Sequence, residues 1–372
     1  MGIKLIIIIY LQHYKNAVLK RKYLLPFLLI IQIIILKIIA FYPEWTERYY
    51  SHLIYLQISN FSRIIFGKIP FSIGDCLYIL LILLIAKWFW NKRKSWKLHW
   101  KTNVLHIFSF LSVFYFSFHL LWGLNYYRMP LFEKMNIKRE YSDADLYDFT
   151  KKIIAKANAI QIQITKNKNL KVVYPYSHEE TFEKNINGYQ NLLKSYAYFG
   201  YQNSSIKKSL ISLPLTYMGF GGYLNPFTNE AQVNDLMPKY NLPTTSCHEM
   251  AHQMGYASES ECNFIGFLAS VNNEDLYFQY SGYSFALRYC LNNWYLKNEK
   301  IYQRLLQTVH PGIIVNYKES EIFWRQYETP IEKGFHAFYD RYLKINQQKE
   351  GMDSYSKFVD LLVNFYKNKF VN

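Results

Sequence analysis

Residues 245–255 read Thr-Ser-Cys-His-Glu-Met-Ala-His-Gln-Met-Gly. Within that run His248, Glu249 and His252 have the types and spacing for metal-assisted hydrolysis. On a helix, residues four apart share one face. Two imidazoles so placed can hold one metal ion, with Glu249 alongside and close enough to a metal-held water to take its proton. The pattern points to hydrolysis of an amide. A plainer reading is that Ser246 and Glu249 form a Ser-x-x-Glu capping box, in which Glu249 only closes a helix start. Against it, Met250, Ala251 and Met254 mark a buried helix, where two His and a Glu are costly unless they bind a metal or hydrogen-bond.

A catalytic zinc takes three protein ligands and keeps its fourth position for water. Gly255 ends the motif helix, as glycine commonly does just past a C-terminus. Ser258-Glu259-Ser260-Glu261-Cys262-Asn263 then opens a second helix, with Ser258 and Glu261 spaced as a capping box. Position 258, where a metzincin places its third His, is Ser, so the third ligand is expected to be a carboxylate, as in gluzincins. Glu259 is preferred. Asn263 lies four residues on, a spacing gluzincin-type proteins often show, and can steady a ligand His through a hydrogen bond. Glu261 stays open as the alternative, because only six residues separate His252 from Glu259. Glu261 is also nearer the level of His252 in a simple antiparallel hairpin.

The elements that must position these residues are mixed. Asp143 to Gln161 and Phe182 to Tyr198 have helical periodicity, as do 269–298, 300–310 and 358–366. Ser209 to Thr216 reads as a short apolar strand, and Ala231-Gln232-Val233-Asn234 alternates like another. In gluzincin-like folds the strand before the zinc helix walls the cleft, and an extended substrate pairs with its edge. Residues 223–234 are expected to be that wall, with Asn225, Glu230, Gln232 and Asn234 near the cleft, unless they form an ordinary hairpin. Tyr280, Tyr283, His336 and Tyr339 are candidates to stabilise a developing oxyanion. With 35 Tyr in the chain, each is also a natural core residue.

Three stretches have the length and apolarity to span a bilayer, about 23–42, 73–90 and 104–124. Lys15, Lys20, Arg21 and Lys22 precede the first, and Lys92, Arg93, Lys94, Lys97 and Lys101 fill the loop between the second and third. The loop after the first carries Glu44, Glu47 and Asp75. Positive loops stay inside, so the N-terminus is expected in the cytoplasm and the chain after 125 outside the inner membrane, in the periplasm of a Gram-negative cell. The short run Leu5 to Ile9 lacks a cleavage signature and is not read as a signal peptide. Residues 1–125 are then the anchor and 126–372 an extracytoplasmic domain.

The net charge is +16, but no basic stripe or recognised module accompanies it, so nucleic acid is excluded as a partner. Of four Cys, none forms a Cys-x-x-Cys pair. Cys247 and Cys262 read as small buried packing residues, with a disulfide between them left open.

The runs Gly222-Tyr223-Leu224-Asn225-Pro226-Phe227-Thr228, Glu230-Ala231-Gln232-Val233-Asn234, Leu242-Pro243, His248-Glu249, His252-Gln253 and Glu259-x-Glu261-x-Asn263-Phe264 resemble the DUF3810 family of bacterial membrane proteins. Further matches are Pro70-Phe71-Ser72-Ile73-Gly74-Asp75, Trp122-Gly123-Leu124-Asn125-Tyr126-Tyr127-Arg128, and Tyr342-Leu343-Lys344 with Gly351 and Ser354-Tyr355. The likeness runs from about residue 23 onward; Cys262 stands where Ala is common. It implies a membrane-anchored metallopeptidase-like protein and brings no substrate with it. The expected architecture is a three-helix transmembrane region followed by an α+β, mostly helical, zincin- or gluzincin-like domain. Zn2+ is the expected cofactor, with the lipid bilayer and a peptide or protein substrate as partners. The competing class is a non-catalytic zinc-containing binding or assembly protein, for which Glu249 would have no use.

Overall fold

The computed structural model describes residues 22–138, 140–348 and 355–369. Lys15, Lys20, Arg21, the run 5–9, Gly351 and Ser354 lie outside them. Among the described residues three helices are long and apolar enough to cross a membrane: α1 (Lys22–Ile39), α3 (Ile73–Lys92) and α4 (Trp100–Leu121). Their Leu and Ile side chains, such as Ile82 and Leu83, point mostly outward. Such a face suits hydrocarbon and would be an aggregation surface in water. Ser72 caps α3 by accepting from the Asp75 amide at 2.8 Å, and Gln32 donates to Ser112 at 3.1 Å, tying α1 to α4.

The segment between α1 and α3 is not the loop that its mixed composition suggests. It is one helical run, α2, from Pro43–Trp45 through π-helical Thr46–Ile54 into Tyr55–Phe66. A π turn is rare and wide, and such turns often sit at functional sites. Here it turns Tyr50, Ser51 and Tyr55 inward.

Beyond α4 come α5 (Asp143–Thr165), α6 (His178–Ser195), β1 (Ile206–Lys208), α7 (Ser212–Tyr217), β2 (Gly222–Leu224) and β3 (Ala231–Val233). The motif helix α8 (Leu242–Gln253) and α9 (Glu259–Val271) follow, then α10 (Leu276–Lys297), α11 (Glu299–Leu306), α12 (Pro311–Arg325), α13 (Pro330–Ile345) and α14 (Tyr355–Lys369). Among the described residues the fold is mostly helical with one small sheet. Capping boxes Ser142/Asp145 and Ser177/Glu180 start α5 and α6. The expected strand at 209–216 is instead mostly the short helix α7, with the strand β1 just before it. Pro214 cannot donate to a ladder but is tolerated in a helix's first turn.

The sheet order is β1-β3-β2. β1 pairs with β3 in parallel, Ile206 opposite Ala231, and β2 pairs antiparallel, Gly222 opposite Val233. β3 is therefore the middle strand and β2 an edge. The main core packs α5, α6, α8, α9, α10 and α14 together through residues such as Leu146, Tyr189, Met250, Phe267, Leu287 and Phe358. A second cluster joins Leu36, Tyr50, Tyr55, Trp122, Tyr126, Tyr127 and Ala257. It straddles residue 125, so the anchor and the following domain share a core there.

Candidate metal centre

α8 begins at Leu242, with Pro243 in its first turn, where a missing N–H costs nothing. Ser246 is thus inside the helix, donating to the Leu242 carbonyl at 2.6 Å, and the capping-box reading of Glu249 does not hold. His248 and His252 lie on one face with their Nε2 atoms 3.1 Å apart. α9 returns beside α8, and Gly266 permits the close approach: a Cβ there would sit 2.9 Å from the His248 nitrogen. The turn brings Glu259 Oε2 to 3.2 Å from His248 Nε2 and 3.8 Å from His252 Nε2.

These three side chains form a cluster able to hold a metal, their donor atoms all within 4.8 Å of one another. Metal–nitrogen bonds of about 2.0–2.1 Å in a tetrahedron set ligand atoms roughly 3.3–3.4 Å apart. The three separations bracket that value. Each imidazole is held through its other nitrogen: His248 Nδ1 donates to Asn263 Oδ1 and His252 Nδ1 to the Tyr256 carbonyl, both at 2.8 Å. Both Nε2 lone pairs are thereby left for a metal.

Glu249 is buried, and its Oε2 has no hydrogen-bond partner among the described residues. An orphaned carboxylate oxygen beside three metal-type donors is what a proton-accepting group for a bound water requires. Burial pushes its carboxyl up to about 7, the His248 and His252 charges only partly opposing it. β2 crosses directly over it: a Cβ on Gly222 would lie 2.7 Å from Glu249 Oε1. Glu259 goes the other way. Burial alone would raise its pKa, but bonds to His248 and His252 outweigh that and hold it well below the usual carboxylate range.

Glu261 stands apart. Its Oε1 accepts from the Leu131 amide at 2.6 Å, and burial pushes its carboxyl up. The capping box with Ser258 does not form; Ser258 Oγ lies 3.0 Å from Ser260 Oγ instead. Two helical positions differ by about 200°, so Glu259 and Glu261 cannot serve the same side of α9.

A cavity of about 920 Å³ opens over the cluster. His248, Glu249, His252, Glu259 and Asn263 line it, with Gly222, Tyr223 and Leu224 of β2 and Phe338, Tyr339 and Tyr342 of α13. Asn225, Glu230, Gln232 and Asn234 do not line it, and all four are buried. Asn225 Oδ1 accepts from the Phe227 and Thr228 amides. Glu230 pairs with Lys207 at 2.9 Å and accepts from the Gly74 amide. Asn234 donates to Thr216 and to the Phe220 carbonyl, and Gln232 lies in the middle strand. The cause is topological: β3 is covered on both edges, so the strand at the cavity is β2.

Of the four oxyanion candidates, Tyr339 lines the cavity and donates to Glu259 Oε1 at 2.7 Å. Tyr280 is core and donates to Asn316, Tyr283 packs on Phe267, and His336 stacks near Phe220 outside the lining. Two phenols that sequence reasoning passed over are present. Tyr342 stacks on Tyr339 and takes a long hydrogen bond from Tyr126 at 3.4 Å. Burial pushes Tyr342 up to about 12, so it stays a proton donor at neutral pH. Tyr126 and Tyr342 belong to runs singled out above only for their family likeness. Cys247 and Cys262 are free and buried; Cys262 Sγ packs 3.3 Å from His252 Nδ1.

The far end of α8 is held from a distance in sequence. The His252 carbonyl accepts from Trp122 Nε1 at 3.1 Å, and the Gln253 carbonyl from Tyr55 and Ser59, both at 2.9 Å. Arg128 donates to the Gly255 carbonyl at 2.7 Å and clamps Glu47 with two bonds of 2.7 and 2.8 Å. Burial would raise the Glu47 pKa, but bonds from His52 and Arg128, with the Lys134 charge, hold its carboxyl well below the usual range.

A family model described as a protein of unknown function (DUF3810) matches residues 50–363, beginning inside α2. No curated protein matches the chain, and no solved structure matches it.

Proposed function

The chain belongs to the DUF3810 family, and on that premise we propose that it is a membrane-anchored, zinc-dependent metallopeptidase. The observation that carries the reading is the convergence of His248, His252 and Glu259 beside the unpartnered carboxylate of Glu249. A zinc ion held by those three side chains would acidify a water and polarise a carbonyl. Glu249, with a pKa near neutrality, takes the proton from that water and passes it to the leaving amine. Among the described residues β2 pairs on one side only, so its outer edge can align an extended peptide across the cluster. Tyr342, its oxygen already accepting from Tyr126, offers its own proton to charge developing on the carbonyl oxygen. Tyr339 orients Glu259.

The basic loop 93–99 favours a cytoplasmic N-terminus, with the cluster on the periplasmic side of the inner membrane.

The test uses the full chain in detergent. Wild type should carry one zinc and cleave a quenched-fluorescence peptide pool. Glu249→Gln should keep the zinc and lose turnover by roughly 10²–10⁴, and His248→Ala should lose the metal. Full turnover in Glu249→Gln, or wild type that binds no transition metal, sinks the reading.

A further inference from the structure

The cavity over the cluster does not stop at the domain. Its wall continues along one face of α4, through Trp122, Phe118, Phe114 and Leu111, a spacing that keeps the side chains in one stripe. Trp122 starts the stripe against His252, their rings 6.0 Å apart. Tyr78 of α3 also lines the cavity, stacked on Tyr223 of the edge strand. At 1.5 Å per residue, Leu111 lies roughly 15 Å along α4 from Leu121. That is about half of a ~30 Å hydrocarbon layer, and α4 with its 22 residues is about as long as that layer is thick. A cleft for a soluble peptide has no need of an apolar floor at that depth.

Resting on the metallopeptidase reading, we infer that the substrate is a lipid-anchored peptide. Its acyl chain lies in the slot along α4, and its peptide bond meets the cluster at the membrane surface. Backbone chemistry favours a hydrocarbon chain over a transmembrane helix. A transmembrane helix keeps its backbone hydrogen bonds internal in hydrocarbon and has to unwind before it can pair with the edge of β2, whereas a lipid-anchored peptide is already free to extend. An acyl chain is far thinner, and the bilayer around α3 and α4 delivers it sideways without leaving hydrocarbon. Phe338 and Ile345 of α13, both exposed and both lining the cavity, extend the apolar path at its mouth.

The experiment reads occupancy without turnover. The full-length Glu249→Gln protein in phospholipid vesicles is irradiated with a short peptide bearing a palmitoyl chain that carries a diazirine, and the labelled residues are mapped. Labels are expected on Leu111, Phe114 or Phe118. Leu111→Trp and Phe114→Trp should each cut labelling about tenfold, and Ile82→Trp, on the outward face of α3, should leave it unchanged; zinc content verifies the fold of each variant. Labels confined to outward residues such as Ile82 and Leu83 overturn the inference. So does labelling of the stripe by a diazirine-bearing transmembrane peptide but not by the acyl probe. If the stripe is labelled as expected but zinc-loaded wild type cleaves neither acylated nor plain peptide, the peptidase reading fails alone.

Discussion

The two ends of the motif helix are built by opposite means. Its cavity face takes His248, Glu249 and His252 from within five consecutive residues, and the next turn of chain supplies Glu259 and Asn263. Its C-terminal end is closed by Tyr55, Ser59, Trp122 and Arg128, from as far as 198 residues away. Helix termini leave four carbonyls without intrahelical partners, and here side chains from the membrane-proximal run supply the donors. The chemistry is thus local in sequence and its support is not. A cluster that looks self-contained in the sequence depends on α2 and the end of α4 for the placement of its second histidine.

The sharpest way to break this comparison is to cut the chain at residue 125. Residues 126–372 alone lose Tyr55, Ser59 and Trp122, and the second core cluster is divided. No cooperative thermal transition and no bound zinc are expected, whereas the full chain should show both. A well-folded, zinc-binding fragment would show that the helix end needs none of these donors.

Next in size is the buried ion cluster. Arg128→Met leaves Glu47 without its bidentate partner and the Gly255 carbonyl without a donor, for a loss of about 3 kcal/mol in denaturation of the detergent-solubilised chain. The pH dependence follows from the same group. The Glu47 carboxyl titrates below its unfolded value of about 4.3, so its stabilisation is complete above that value and is lost as pH falls through the acid range toward the folded pKa. Wild-type melting temperature should drop between about pH 5 and pH 3, and Glu47→Gln, less stable at neutrality, should drop less over that window.

On the cavity face, Asn263→Ala removes the partner of His248 Nδ1 and should weaken zinc affinity about 10–100-fold while leaving the melting temperature of the metal-free protein nearly unchanged. The smallest effect is expected for Tyr55→Phe. It deletes one hydroxyl that donates to Gln253 and accepts from Asn229, for about 1–2 kcal/mol, with zinc affinity lowered less than in Asn263→Ala. A larger zinc defect in Tyr55→Phe than in Asn263→Ala would invert the division of labour between the two ends.

What could be read from the chain tracks the range of the interaction that decides it. The three candidate spans are legible because composition over about 20 residues is enough to mark them. α5, α6 and α14 are legible because their apolar residues repeat with the helical period. α2 is not, because Thr46 to Ser59 mixes Tyr, Ser, His and Arg without an apolar stripe; its buried side is made of polar and aromatic groups whose partners lie far along the chain, on α4 and α8 and at Asn125, Arg128 and Asn229. The choice between Glu259 and Glu261 depends on the rotation of α9 about its own axis, which packing against α8 and the Leu131 amide settles. Asn225, Gln232 and Asn234 look like cleft residues as long as all of 223–234 is taken for the wall; Tyr223 and Leu224 of β2 do line the cavity, but strand order is decided by pairing between segments, not by alternation within one.

By itself, then, the sequence determined the chemistry on offer and the solvent each part would meet. A four-residue helical spacing places two imidazoles together whatever surrounds them, and a long apolar helix prefers hydrocarbon for the same local reason. Only the tertiary structure decided which carboxylate joins the histidines, which strand edges the cavity, and that the cavity runs down α4. Those outcomes turn on contacts between segments that are distant in the chain, and packing has to satisfy all of them at once.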